Sequence, residues 1–141
     1  RFVEVEAPAV VLNDVRVIDG TGAPAEEGQA IVVRDGMIAW VGAAEALEVP
    51  AEAEVLELAD HTVLPGFVML HEHMFYPAGD AHYNELVVSF PRLYLAGGAT
   101  TIRTGGSMSP YADLNLAQAI EAGRVAGPDI HVTGPYLNGP G

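Results

Sequence analysis

Two histidines one residue apart, His71 and His73 in the run Leu64-Pro-Gly-Phe-Val-Met-Leu-His-Glu-His73, are the side chains in this sequence best placed to do chemistry. The apolar run Phe67 to Leu70 ahead of them reads as a β-strand, along which side chains alternate faces with a period of two. Both imidazoles then point the same way and can share one divalent metal, because neutral imidazole nitrogen is a good ligand for zinc and its neighbours. Glu72 lies between them, faces the other way, and is expected to support the strand. The plainer alternative is a pair of histidines bonded to backbone at a strand end.

Water on such a metal has its pKa lowered toward about 7, which supplies hydroxide at neutral pH while the cation polarises a carbonyl or phosphoryl oxygen. Hydrolysis also needs a base to take the water's proton and return it to the leaving group. No residue in the sequence is an obvious candidate for that base.

Composition narrows the alternatives. The 141 residues carry 6 Lys+Arg against 19 Asp+Glu, a formal net charge of −13. Binding to nucleic acid or to an anionic membrane needs the opposite sign. All the basic residues are arginine and there is no cysteine, which excludes disulfides and thiolate metal sites. Hydrophobic residues make up 50% of the chain, enough for a core. No apolar stretch reaches the roughly 18 residues needed to span a bilayer. A soluble, cytoplasmic protein is expected. A secreted form stays open, because the chain begins at Arg1 as if a leader had been removed.

The elements that must hold the histidines fall into two stretches, 1–65 and 66–141. In the first, Val10 to Leu12, Val15 to Ile18, Ala30 to Arg34, Ile38 to Val41 and Glu54 to Leu58 read as short strands of a small antiparallel unit. Asp35-Gly36 is a strong hairpin signal, since a two-residue primed turn needs positive φ at its centre. In the second, β-like runs Phe67 to Leu70, Thr100 to Arg103 and Ile130 to Thr133 alternate with helical segments, about Asn84 to Leu95 and Ala112 to Val125. Such alternation predicts βα units and a parallel sheet. Phe67, Met69 and Leu70 are expected in its core. Three strands do not close a (β/α)8 barrel of about 250 residues, so the chain is either a segment of a longer protein or completed by a partner.

Taken together these residues resemble the amidohydrolase superfamily, in its imidazolonepropionase-like and prolidase-like branch. Val15-Arg-Val-Ile-Asp-Gly-Thr-Gly22 and Val33-Arg-Asp-Gly-Met-Ile-Ala-Trp-Val-Gly42 look like its N-terminal β-sandwich segment. Val63 to His73 matches the entry into the first barrel strand, and Gly98-Ala-Thr-Thr-Ile-Arg103 with Ala119 to His131 look like the second strand and the passage to the third. The resemblance implies a mixed α/β fold: a small β-sandwich segment over 1–65, then the first three βα units of a (β/α)8 barrel over 66–141, incomplete in this chain.

It also implies that His71 and His73 are the first-strand ligands of one or two divalent ions, zinc above all, and that later strands supply the rest. Thr104 stands where relatives often carry aspartate. The activity implied is metal-dependent hydrolysis of an amide or peptide-like C–N bond, in a dipeptide or cyclic amide. A deaminase of the same superfamily and a noncatalytic segment needing a partner chain are the alternatives. The remainder of the barrel is an implied partner, and homo-oligomeric assembly is in keeping with the family. Tyr76, and Tyr136 with Asn138, follow the first and third strands at the end where barrel sites assemble, and are expected to contact substrate.

Overall fold

The computed structural model describes residues 5–137 and 139, which leaves Asn138 outside the described residues. It is mixed α/β and rich in strands, and it divides into two compact units, 1–65 and 66–141.

The first unit is a sheet of five strands: β1 (Ala9–Val17), β2 (Glu26–Arg34), β3 (Met37–Ala43), β4 (Ala53–Glu57) and β5 (Thr62–Val63). Its order is β3-β2-β1-β4, with β5 also on β1. The Asp35-Gly36 hairpin forms as its sequence requires, with φ of 52° and 73° and Arg34 facing Met37 across the turn. The runs Val10–Leu12 and Val15–Ile18 merge into the single strand β1. The break between them is a bulge at Asn13-Asp14, where Asp14 takes a φ of 57°. The unit departs from the antiparallel expectation, because β4 and β5 run parallel to β1. Alternation of apolar and polar residues fixes which face a strand buries and carries no information on direction. The connection through residues 44–52 is long enough to cross over and reverse it. Val11, Ala30 and Val32 are buried, with Trp40, Leu47 and Ala53 packed against them.

The second unit has a parallel sheet, ordered β10-β9-β6, of β6 (Phe67–Glu72), β9 (Ala99–Thr104) and β10 (Asp129–His131). Helix α1 (Ser89–Ala96) precedes β9 and α2 (Pro110–Glu121) follows it. Pro110 opens α2 after Ser109, where a missing N–H costs nothing. Asn84 and Glu85, expected in the first helix, instead belong to a hairpin of β7 (Phe75–Gly79) and β8 (His82–Glu85), turned by Asp80 and Ala81 at φ of 49° and 58°. Helix α1 therefore begins later. Pro91 falls in its first turn, where backbone N–H groups have no acceptor within the helix, so it neither kinks nor ends it.

The core of this unit gathers Met74, Ala99, Ile102 and Leu116, with Phe90, Tyr94, Ile120 and Ile130 against them. Contrary to expectation, Phe67, Met69 and Leu70 are 53%, 37% and 67% exposed. They lie on β6, which among the described residues pairs with β9 alone, while the buried residues of the sheet sit on β9 itself.

Candidate metal centre

His71 is the penultimate residue of β6 and His73 follows its last residue, Glu72, so the strand's alternation brings both imidazoles to one side. Their ring centroids are 5.2 Å apart and the planes meet at 82°. Two imidazoles on one tetrahedral ion, with metal–nitrogen bonds of about 2.0–2.1 Å, have centroids about 5 Å apart. The centroid spacing of the pair matches that value. Among the described residues no third His, Cys, Asp or Glu joins them.

The loop after β9 forms the floor beneath the pair. The Gly105 N–H donates to the Glu72 carbonyl at 2.8 Å, which ties the loop to the end of β6. The His71 ring lies against Gly105, where a Cβ would stand 2.5 Å from Nε2, and Gly106, at φ 122°, lies against the ring of Tyr136. His73 Nδ1 is 3.4 Å from the Gly106 carbonyl and 3.4 Å from the Tyr136 hydroxyl. When Nδ1 carries the proton, its N–H is directed to these oxygens and Nε2 keeps the lone pair a metal needs.

An aromatic group flanks His73. Phe75 has its centroid 4.8 Å from His73, 5.6 Å from Tyr83 and 6.4 Å from Tyr136, and Tyr136 is 6.4 Å from His73. Phe75, which the sequence reading passed over, continues the spacing of His71 and His73 by two, and that spacing is the signal that finds it. Tyr76 is one residue out of step, is 63% exposed, and takes no part in this ring group. Asn138 lies outside the described residues.

Glu72 faces away from the pair, and its Oε2 accepts a hydrogen bond from the Tyr94 hydroxyl at 2.9 Å. The same hydroxyl is 3.1 Å from the His73 carbonyl. Burial, followed by the hydrogen bond to Glu72 and that carboxylate's charge, pushes the Tyr94 hydroxyl up to about 12.

Asp113 in the first turn of α2 is 1% exposed, and neither carboxylate oxygen has a hydrogen-bond partner among the described residues. Burial raises its pKa. The nearby Ser107 hydroxyl and His73 act in the opposite direction without closing a hydrogen bond on it.

Thr104 is fully buried. Its Oγ1 accepts from the Thr133 N–H at 2.8 Å, and the Thr133 hydroxyl donates to the Thr104 carbonyl at 2.9 Å, so this position fastens the end of β9 to the segment after β10. His131 closes β10, facing Arg103. A cleft of about 480 Å³ between α2 and β10 shares no residue with the histidine pair.

No protein-family model matches the chain. It is 38% identical over 114 residues to a dihydroorotase of Anaeromyxobacter dehalogenans, covering 77% of this chain and 25% of that one. It is 32% identical over 123 residues to an imidazolonepropionase of Streptomyces griseus, covering 82% and 30%. The structure of a prolidase complexed with N-methylphosphonate-L-proline superposes with a TM-score of 0.72 at 26% identity, covering 89% of this chain and 32% of that one. The chain thus spans between a quarter and a third of the length of these relatives. With relatives of those names over most of its length and a shared backbone, the chain belongs to the amidohydrolase superfamily.

Proposed function

We propose that this chain supplies the first two ligands, His71 and His73, of a metal-dependent hydrolase that cleaves an amide or peptide-like C–N bond in a small molecule, a dipeptide or a cyclic amide. The observation that carries this reading is the 5.2 Å, nearly perpendicular arrangement of the two imidazoles on one side of β6. Relatives named dihydroorotase, imidazolonepropionase and prolidase favour the same bond class. On this reading residues 1–65 are the N-terminal part of a β-sandwich domain, and residues 66–141 begin a (β/α)8 barrel whose remainder brings the other ligands and the base.

His71 and His73 would hold a divalent cation, zinc by the preference of imidazole ligands, which when bound would lower the pKa of a water and polarise a carbonyl. The chain's own residues do the positioning. Gly105 and Gly106 admit the rings of His71 and Tyr136 at close range, and the Gly106 carbonyl orients His73. Phe75 and Tyr136 exclude water from one side of His73 and offer substrate an apolar wall with one hydroxyl. Tyr76, exposed on β7, contacts substrate on this reading.

The test is metal content and hydrolysis in the full-length protein, against Xaa-Pro dipeptides and small cyclic amides. Turnover that is abolished by a chelator and restored by zinc is expected. Ammonia released from an amino-substituted ring, with no amide cleavage, would point to a deaminase. Full turnover after exhaustive chelation would contradict the proposal.

A further inference from the structure

The two histidines are not held alike. His71 lies within β6, whereas His73 lies one residue past the strand's end, beyond the last paired position, Glu72 opposite Thr104. Something other than the sheet must fix the backbone that carries the His73 ring.

We infer that Tyr94 and Glu72 form a latch that positions His73 for metal binding. This inference rests on the reading of the histidine pair as ligands. Tyr94 comes from α1, where its ring packs against the buried cluster of Met74, Ala99, Ile102 and Leu116 and meets Phe90 edge to face at 6.1 Å. The core therefore fixes where its hydroxyl stands. That hydroxyl reaches the Glu72 carboxylate at 2.9 Å and the His73 carbonyl at 3.1 Å. One proton serves two acceptors, and the contact to an ionised carboxylate is the stronger of the two. Glu72 thus holds the hydroxyl against the His73 main chain, and the middle residue of His-Glu-His acts from the face opposite the metal. Outer groups that orient a ligating histidine commonly change metal affinity by about 10–100-fold when removed.

The experiment measures zinc affinity of the full-length protein by competition with a chromophoric chelator, alongside the thermal midpoint of each metal-free variant. Tyr94→Phe and Glu72→Ala are each expected to weaken zinc binding by about 10–100-fold. Glu72→Gln, whose amide oxygen still accepts the tyrosine proton, should stay close to the parent. The double variant Tyr94→Phe/Glu72→Ala should be no weaker than either single change, since both open the same latch. Parent affinity in Tyr94→Phe, or losses that multiply in the double variant, would overturn the latch. If Tyr94→Phe fails to fold, the contrast between Glu72→Gln and Glu72→Ala at equal thermal midpoints decides: equal affinities refute the latch. His71→Ala separates the two levels. Unchanged zinc affinity there refutes the ligand assignment itself, whereas loss there with parent affinity in Tyr94→Phe refutes only the latch.

Discussion

Gly105 lies directly beneath the imidazole of His71, so close that a Cβ would stand 2.5 Å from Nε2. The position is not in the left-handed region, and the three atoms nearest such a Cβ all belong to the His71 ring. Gly105→Ala should therefore displace His71 while leaving the fold intact. Zinc affinity is expected to drop by about 10–100-fold, the range seen when a ligand loses its orientation. Circular dichroism and a chelator competition on the same sample check both halves of this expectation.

Tyr94 gives a pH dependence whose sign is fixed. Its hydroxyl is raised from 10.0 to about 12, chiefly by burial and then by Glu72. The unfolded chain releases this proton near pH 10 and the folded chain holds it longer. The contribution is complete below pH 10 and is lost as pH rises toward 12. Denaturant titrations between pH 9 and pH 12 should show a steeper loss of stability in the parent than in Tyr94→Phe. Parallel curves would mean the hydroxyl is not shielded.

Local rules make part of this architecture legible in the sequence. Asp35-Gly36 announces its turn and the aliphatic runs their strands, because each depends on neighbouring residues only. The direction of β4 and β5 was hidden, since it depends on a crossover and not on pattern. Asn84 and Glu85 read as helix because their pairing with Phe75 and Tyr76 spans a turn that lacks glycine at its centre. At the candidate site, spacing alone singled out His71 and His73. Tyr94, Gly105 and Asp113 reach that neighbourhood through tertiary packing, which no spacing encodes.

Gly36 tests the hairpin. With φ at 73°, any side chain there is forced into the left-handed region. Gly36→Ala should destabilise the protein by about 1–2 kcal/mol. Chemical denaturation measures this directly, and zinc affinity should not move.

Asp113 carries the opposite expectation. Its carboxylate is buried with no hydrogen-bond partner among the described residues, and burial raises its pKa. Burial disfavours its charged form, so any cost of that charge to stability falls away as the solution is acidified through the raised pKa. Asp113→Asn, which removes the charge and keeps the shape, should make the metal-free protein more stable at pH 7 than the parent, with the gap closing in acid. Denaturation at pH 7 and pH 4 distinguishes this from a supporting role, in which the substitution would destabilise at both.

The most direct measurement is the metal content of the full-length protein, by mass spectrometry, for the parent and for His71→Ala and His73→Ala. Bound divalent metal in the parent, and its loss together with amide hydrolysis in either variant, is the expected result. Parent-level metal in both variants would contradict the assignment of these two rings as ligands.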